Sequence, residues 1–342
     1  MRLPGIRIRN SGAALLLLAA LTAPRPAAAA QPPQAETLLD WSLQSPDVPY
    51  RGRMMFTQWF GKNTRAEDIQ VYHSGQRSRR EFLAPDGTVS RVIIDDGDKQ
   101  ELHLVKKGRV LAGDAVKSYE KLMPPEHERE LLLKNYRLTV SGPEKVAGRP
   151  CWVLEIDPLV AGKPSQKLWL DEETHVVLEN KRFIPNKRLA AMIRYSRFTP
   201  TKDISDALFA LYVATAAAGR GLEPDFMTLE ELNKATGKTT SIPAELPGGF
   251  EFESADYFQI GKHVVRQARY TDGLCALSLF LTDRPVALPK GQPLSQGAGL
   301  ARASLRLSSA GTVLRWQRGR QHFTLLGDVT RELLQQAAAA VK

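Results

Sequence analysis

Cysteine is scarce: the 342 residues hold two, Cys151 and Cys275. That excludes a scaffold stapled by disulfides and a zinc ribbon built from paired Cys-x-x-Cys ligands. Each thiol lies inside an apolar strand-like run. Two buried free thiols are therefore favoured over a bridge between them. Histidine is equally thin. His73, His103, His127, His175, His263 and His322 stand alone, and His127-Glu128 meets Leu131 where a metalloprotease helix needs its second histidine. No Gly-x-Ser-x-Gly elbow and no phosphate-cradling glycine loop is found, and Gly297-Ala298-Gly299 lacks the third glycine of a dinucleotide turn. These gaps argue against an enzyme, a metal site or a bound cofactor.

Long apolar runs are missing beyond the first thirty residues. Those thirty read as a secretory signal peptide: Arg2, Arg7 and Arg9 lead into an apolar stretch over residues 13–21, and Ala28-Ala29-Ala30 offers small residues for cleavage before Gln31. The apolar core is too short for a span of about 20 residues, which disfavours the alternative of an uncleaved anchor. Acidic residues are also in deficit, with 37 Asp and Glu against 47 Lys and Arg. Without the four arginines Arg2, Arg7, Arg9 and Arg25 the formal charge falls from +10 to +6. An exported chain has no nucleic acid to meet. Its positive charge therefore points to anionic membrane surfaces, lipopolysaccharide or an acidic partner segment.

What remains is strand-like. Hydrophobic residues make up 43% and charged residues 25%, enough to bury sizeable cores. Residues 35–43 read as a short amphipathic helix and 50–60 as a strand. Short apolar segments follow at 68–73, 80–83, 90–94, 101–105 and 107–111, punctuated by Pro85-Asp86-Gly87 and Asp95-Asp96-Gly97-Asp98. That spacing predicts an antiparallel meander. A helix is predicted from Pro124 to Tyr136, then strands at 137–141, 149–156, 166–171, 176–183 and 189–198. Residues 204–218 are Ala-rich and helical in pattern, broken by Gly219-Arg220-Gly221. Thr228 with Glu231 forms a capping box over a second short helix. Beyond the Pro/Gly-rich stretch at 242–249, strands are predicted at 251–257, 263–270, 274–281, 304–308, 312–317 and 321–327. Asp272-Gly273 marks a hairpin, and Asp328 or Thr330 caps a closing helix.

Large apolar side chains crowd particular strands. Met54, Met55, Phe56, Trp59 and Phe60 share one, and Trp152, Leu154 and Ile156 alternate along another. If these strands belong to one curved sheet, Met54, Phe56, Trp59, Phe82, Trp152, Leu154 and Trp169 are candidates to line an apolar cavity suited to acyl chains. An ordinary filled core explains the same residues and stays open as the alternative.

With these segments in view, the chain resembles the RseB/MucB family of periplasmic regulators of the sigma-E envelope-stress response. Leu246-Pro247-Gly248-Gly249-Phe250 is similar to the family's "LPxGF" entry to its second domain. Residues 270–274 (Tyr-Thr-Asp-Gly-Leu) with Ser278-Leu279-Phe280 resemble its "YSDGL…SVF" hairpin, and residues 325–329 resemble its C-terminal end. Residues 148–154 and 168–171 resemble its paired strands, which are shared with the lipoprotein carrier LolA. Thr330 stands where the family pattern has proline, and Cys275 where a bulkier residue is common.

The resemblance implies an α+β protein. Residues 31–202 would form a LolA-like curved antiparallel half-barrel covered by helices, 203–240 a helical linker, and 241–342 a smaller antiparallel sheet-and-helix domain. It further implies a non-catalytic periplasmic protein that binds the periplasmic segment of a membrane-anchored anti-sigma factor, shields it from proteolysis, and is released by a lipid or lipopolysaccharide ligand. A homo-oligomer is compatible with this reading. The alternative is a periplasmic lipid or lipoprotein carrier of LolA type.

Overall fold

The computed structural model describes residues 31–61, 63–114, 122–212, 226–285, 291–294, 300, 302–308 and 311–341. The signal-peptide reading, Gly219-Arg220-Gly221 and Gly297-Ala298-Gly299 lie outside them. Residues from Pro32 onward form one compact unit.

Helix α1 (Ala35–Leu43) opens the described chain, and strands β1 (Tyr50–Phe60), β2 (Asn63–Ser74), β3 (Arg77–Leu83), β4 (Val89–Asp95), β5 (Lys99–Leu104) and β6 (Arg109–Asp114) follow. Each is set off by a turn that its residues demand. At Pro85-Asp86-Gly87, for example, the Asp86 carboxylate accepts from the Thr88 N–H and hydroxyl while Gly87 supplies a φ of +82°. Helix α2 (Pro125–Asn135) begins with proline at its first position, where the missing N–H costs nothing. It runs directly into β7 (Tyr136–Val146), followed by β8 (Arg149–Pro158), β9 (Ser165–Asp171), β10 (Val177–Phe183) and β11 (Leu189–Pro200). The eleven strands form one antiparallel sheet in the order β6-β5-β4-β3-β2-β1-β11-β10-β9-β8-β7. It is two meanders joined where β1 pairs β11, and it curls into the half-barrel expected from the sequence.

Residues of one strand alternate between faces, so the sheet builds two cores. Trp152, Leu154, Ile156, Leu168 and Leu170 pack against Leu38 and Leu39 of α1 and Leu132 of α2. On the opposite face Val153 and Trp169 join Tyr50, Ile69, Phe82 and Tyr195. Burying each such leucine or aromatic contributes about 1.5–3 kcal/mol, which is what holds α1 and α2 down.

The predicted α-helix over 204–218 does not form across its described part. Residues 204–212 hold a single 3-10 turn, Asp206–Phe209. Phe209 is buried beneath the Arg77 guanidinium, the Leu208 carbonyl accepts from Arg79, and the Tyr212 N–H donates to the Glu101 carboxylate. These contacts with the sheet take the backbone groups that a helix would need.

Helix α3 (Leu229–Thr236) carries the predicted capping box of Thr228 and Glu231. Strands β12 (Glu245–Leu246), β13 (Phe250–Ile260), β14 (His263–Thr271), β15 (Ala276–Thr282), β16 (Gln292–Pro293), β17 (Ser304–Ser308), β18 (Gly311–Arg318) and β19 (Gln321–Gly327) form an eight-stranded antiparallel sheet in the order β12-β13-β14-β15-β19-β18-β17-β16. Helix α4 (Arg331–Ala340), capped by the Thr330 hydroxyl, buries Leu333, Leu334, Ala337 and Ala338 against Leu277, Leu279, Leu314 and Leu325. Among the described residues no helix is long and apolar enough to cross a membrane.

Candidate functional site

The seven residues singled out in the sequence do not share one surface. Met54, Phe56, Phe82 and Trp169 fall in or against the core on the face away from α1 and α2. Trp152 and Leu154 point the other way and are enclosed beneath those helices, at 4% and 0% exposure. Trp59 lies near the end of the β1–β2 hairpin and lines a cleft. Period-two alternation on β8 explains the split: Trp152 and Val153 cannot face the same side.

The Met54 side is not uniformly greasy. Arg91 lies over the Phe82 ring at 3.7 Å and pairs with Glu67 at 2.8 Å. The Trp169 indole N–H donates to Glu144, with the ammonium groups of Lys167 and Lys181 near its ring. Nearby, Arg149 grips Asp171 through two hydrogen bonds of 2.6 and 2.8 Å. Burial alone would raise the Asp171 carboxyl, but Arg149 and the Thr174 hydroxyl and N–H outweigh it and hold it below the usual range.

Where the two sheets meet, the contact is polar and buried. The Lys163 ammonium, on the loop between β8 and β9, donates to the Asp272 carboxylate at 2.9 Å, the Gly248 carbonyl at 2.7 Å and the Asn135 side-chain carbonyl at 3.2 Å. Asp272 also accepts from the Tyr136 hydroxyl and from the backbone N–H groups of Leu274 and Cys275. Lys163 and Asp272 side chains are both fully buried. Burial, aided by the Asp272 charge, pushes the Tyr136 hydroxyl and the Cys275 thiol upward. Burial likewise pushes the Cys151 thiol up to about 12. Both cysteines are free and buried, so neither presents a reactive thiolate. Sequence reading missed this cluster. Lys163 sits in a turn-like stretch that reads as surface, and its partners lie 28, 85 and 109 residues away.

Beside that junction runs a cleft of about 820 Å³. One wall is the β1–β2 hairpin end at Trp59 and the β10–β11 turn at Ile184 and Pro185; the other is β17 and the start of α4. Arg182 spans it to Asp328 at 3.0 Å, and the Thr330 N–H donates to the Gly162 carbonyl. A separate hollow of about 580 Å³ lies on the second sheet around Phe258 and Phe280. Among the described residues no group of three or more His, Cys, Asp or Glu could hold a metal ion.

A curled antiparallel half-barrel fused to a second sheet through a buried polar joint, with a cleft between them, defines a two-sheet scaffold. Residues 42–208 match the model of the MucB/RseB N-terminal domain. The chain therefore carries a MucB/RseB N-terminal domain. The same fold recurs in two solved structures. One is the MucA/MucB complex of Pseudomonas aeruginosa, with a TM-score of 0.60 at 18% identity, covering 90% of this chain and 98% of that one. The other is a crystal structure of MucB in complex with MucA(peri), with a TM-score of 0.56 at 18% identity and the same coverage. No curated protein sequence matches the chain.

Proposed function

We propose that this protein is a periplasmic negative regulator of sigma-E-type envelope-stress signalling. It binds the periplasmic segment of a membrane-anchored anti-sigma factor, shields that segment from proteolysis, and is released when a lipid or lipopolysaccharide binds. The observation that carries the reading is the MucB/RseB family match over residues 42–208, together with a shared fold spanning 90% of the chain in the MucA/MucB complexes. The second sheet favours regulator over carrier, because a LolA-type carrier needs the half-barrel alone. Ligand and anti-sigma segment would be linked through their differential affinities for one protein. The apolar set of Met54, Phe56 and Phe82 is the proposed lining for hydrocarbon.

The test uses the chain from residue 31 onward and the fluorescently labelled periplasmic segment of a single-span anti-sigma factor from the same organism. Binding is expected by anisotropy, with lipopolysaccharide raising the apparent Kd. Met54→Glu should blunt the lipopolysaccharide effect and leave segment affinity unchanged. Failure to bind the segment, with uptake of radiolabelled lipoprotein instead, would establish the carrier.

A further inference from the structure

The cleft beside the junction continues into a second hollow. A space of about 620 Å³ adjoins the end of β17, and it shares Arg306, Leu307, Arg331 and Glu332 with the larger cleft. The two therefore form one groove, running from Trp59 across the end of β17 to the edge of the second sheet. Three features say what it fits.

The first is Leu307. It is 77% exposed at the point where the two hollows meet. Its neighbour on the same side of the strand, Leu305, is only 6% exposed and packs in the core. An exposed leucine lining the same cleft as Trp59 and Ile184 is an apolar foothold, not a core residue.

The second is charge. Arg188, Arg306 and Arg331 line the groove. Among the described residues none of the three makes an ion pair, whereas Arg182 in the same wall is neutralised by Asp328. Against these three free guanidinium groups stands one carboxylate without an ion pair, Glu332. The groove is cationic, and guanidinium forks match carboxylates in pairs of hydrogen bonds.

The third is an open strand edge. β16 pairs with Ser304 and Leu305 alone, so past Leu305 that edge of β17 has no strand partner among the described residues. A strand edge of this kind takes up an extended chain through main-chain hydrogen bonds.

We infer that this groove is where the anti-sigma segment docks: an extended, acidic stretch with an apolar side chain set on Leu307 and carboxylates on Arg188, Arg306 and Arg331. The inference rests on the proposed function and adds the docking site to it. The groove is bounded by both sheets, so an occupant touches both, and anything that shifts one sheet against the other changes its affinity.

The labelled periplasmic segment, titrated onto the chain from residue 31, gives the test. Arg306→Glu with Arg331→Glu, and separately Leu307→Asp, should weaken the Kd by about tenfold or more. Affinity for the unaltered chain should fall as salt is raised. A control with the same charge change at exposed turns, Lys262→Glu with Arg320→Glu, should bind within about twofold of the unaltered chain. Thermal melts confirm that each variant is folded. Tight binding by the unaltered chain that the groove variants retain would overturn the docking site and leave the regulator standing. No binding by the unaltered chain would overturn both.

Discussion

Lys163 illustrates how much a single side chain is asked to do here. Its three ammonium protons meet three acceptors, contributed by Asn135, Gly248 and Asp272, and with a side-chain exposure of 0% it has no water to fall back on. A buried ion pair adds little net stability, yet removing one partner strands the other as an uncompensated charge. Lys163→Met should therefore destabilise the protein by about 3–5 kcal/mol in a denaturant titration. Adding Asp272→Asn to it should recover part of that loss, because the stranded charge is gone. Equal destabilisation by the single and double variants would show that the Asp272 charge is not the cause. Cys275, in the turn that Asp272 organises, is a passive neighbour, its thiol held protonated by burial.

At the level of elements, the two sheets are joined by turns fitted against a helix. Gly273, in the β14–β15 hairpin, has a φ of +94°, and a Cβ there would come within 2.4 Å of the Leu132 backbone nitrogen and 2.7 Å of the Glu128 carbonyl in α2. Those are main-chain atoms and cannot swing aside. Gly148, between β7 and β8, has a similar φ of +80° but nothing within 4 Å. Alanine at Gly148 should cost about 1 kcal/mol, the conformational penalty of a left-handed residue. Alanine at Gly273 should cost several times more, because the hairpin must lift from α2. Guanidinium midpoints of the two variants decide it: equal costs would mean that the close approach is not sustained in solution. The depressed Asp171 carboxyl acts at this scale too, tying β9 to β8 through Arg149. The stability from its lowered pKa is fully present above the unfolded-state value and is lost as pH falls through the folded one.

For the whole molecule, the joint makes two sheets one unit. The polar cluster, the Arg182–Asp328 pair and the contact of Gly162 with Thr330 all run between the half-barrel and the second sheet. Loss of one sheet would thus expose buried charge on the other. The protein should unfold in a single transition, with far-UV circular dichroism and tryptophan fluorescence coincident. Four of the five tryptophans lie before residue 170 and Trp316 alone lies in the second sheet, so the two probes weight the sheets differently. In Lys163→Met the two curves should separate. Coincident curves in that variant would mean that apolar contacts alone couple the sheets.

The sequence by itself determined what depends on near neighbours. Period-two alternation and turn residues placed most strands to within a few positions. The Thr228–Glu231 box and the Thr330 cap were legible because their partners lie three residues away. The family likeness was legible for the same reason, being carried by turns such as Asp272-Gly273. What only the tertiary structure decided is which face of each strand meets which neighbour. Alternation says that Trp152 opposes Val153, but not that α1 and α2 would cover Trp152 while Val153 joined the core beside Met54. Nor does any local pattern mark Lys163 as buried or Leu307 as exposed. Burial belongs to the packed whole: it is set by chain segments many tens of residues apart that come together only when the sheets close.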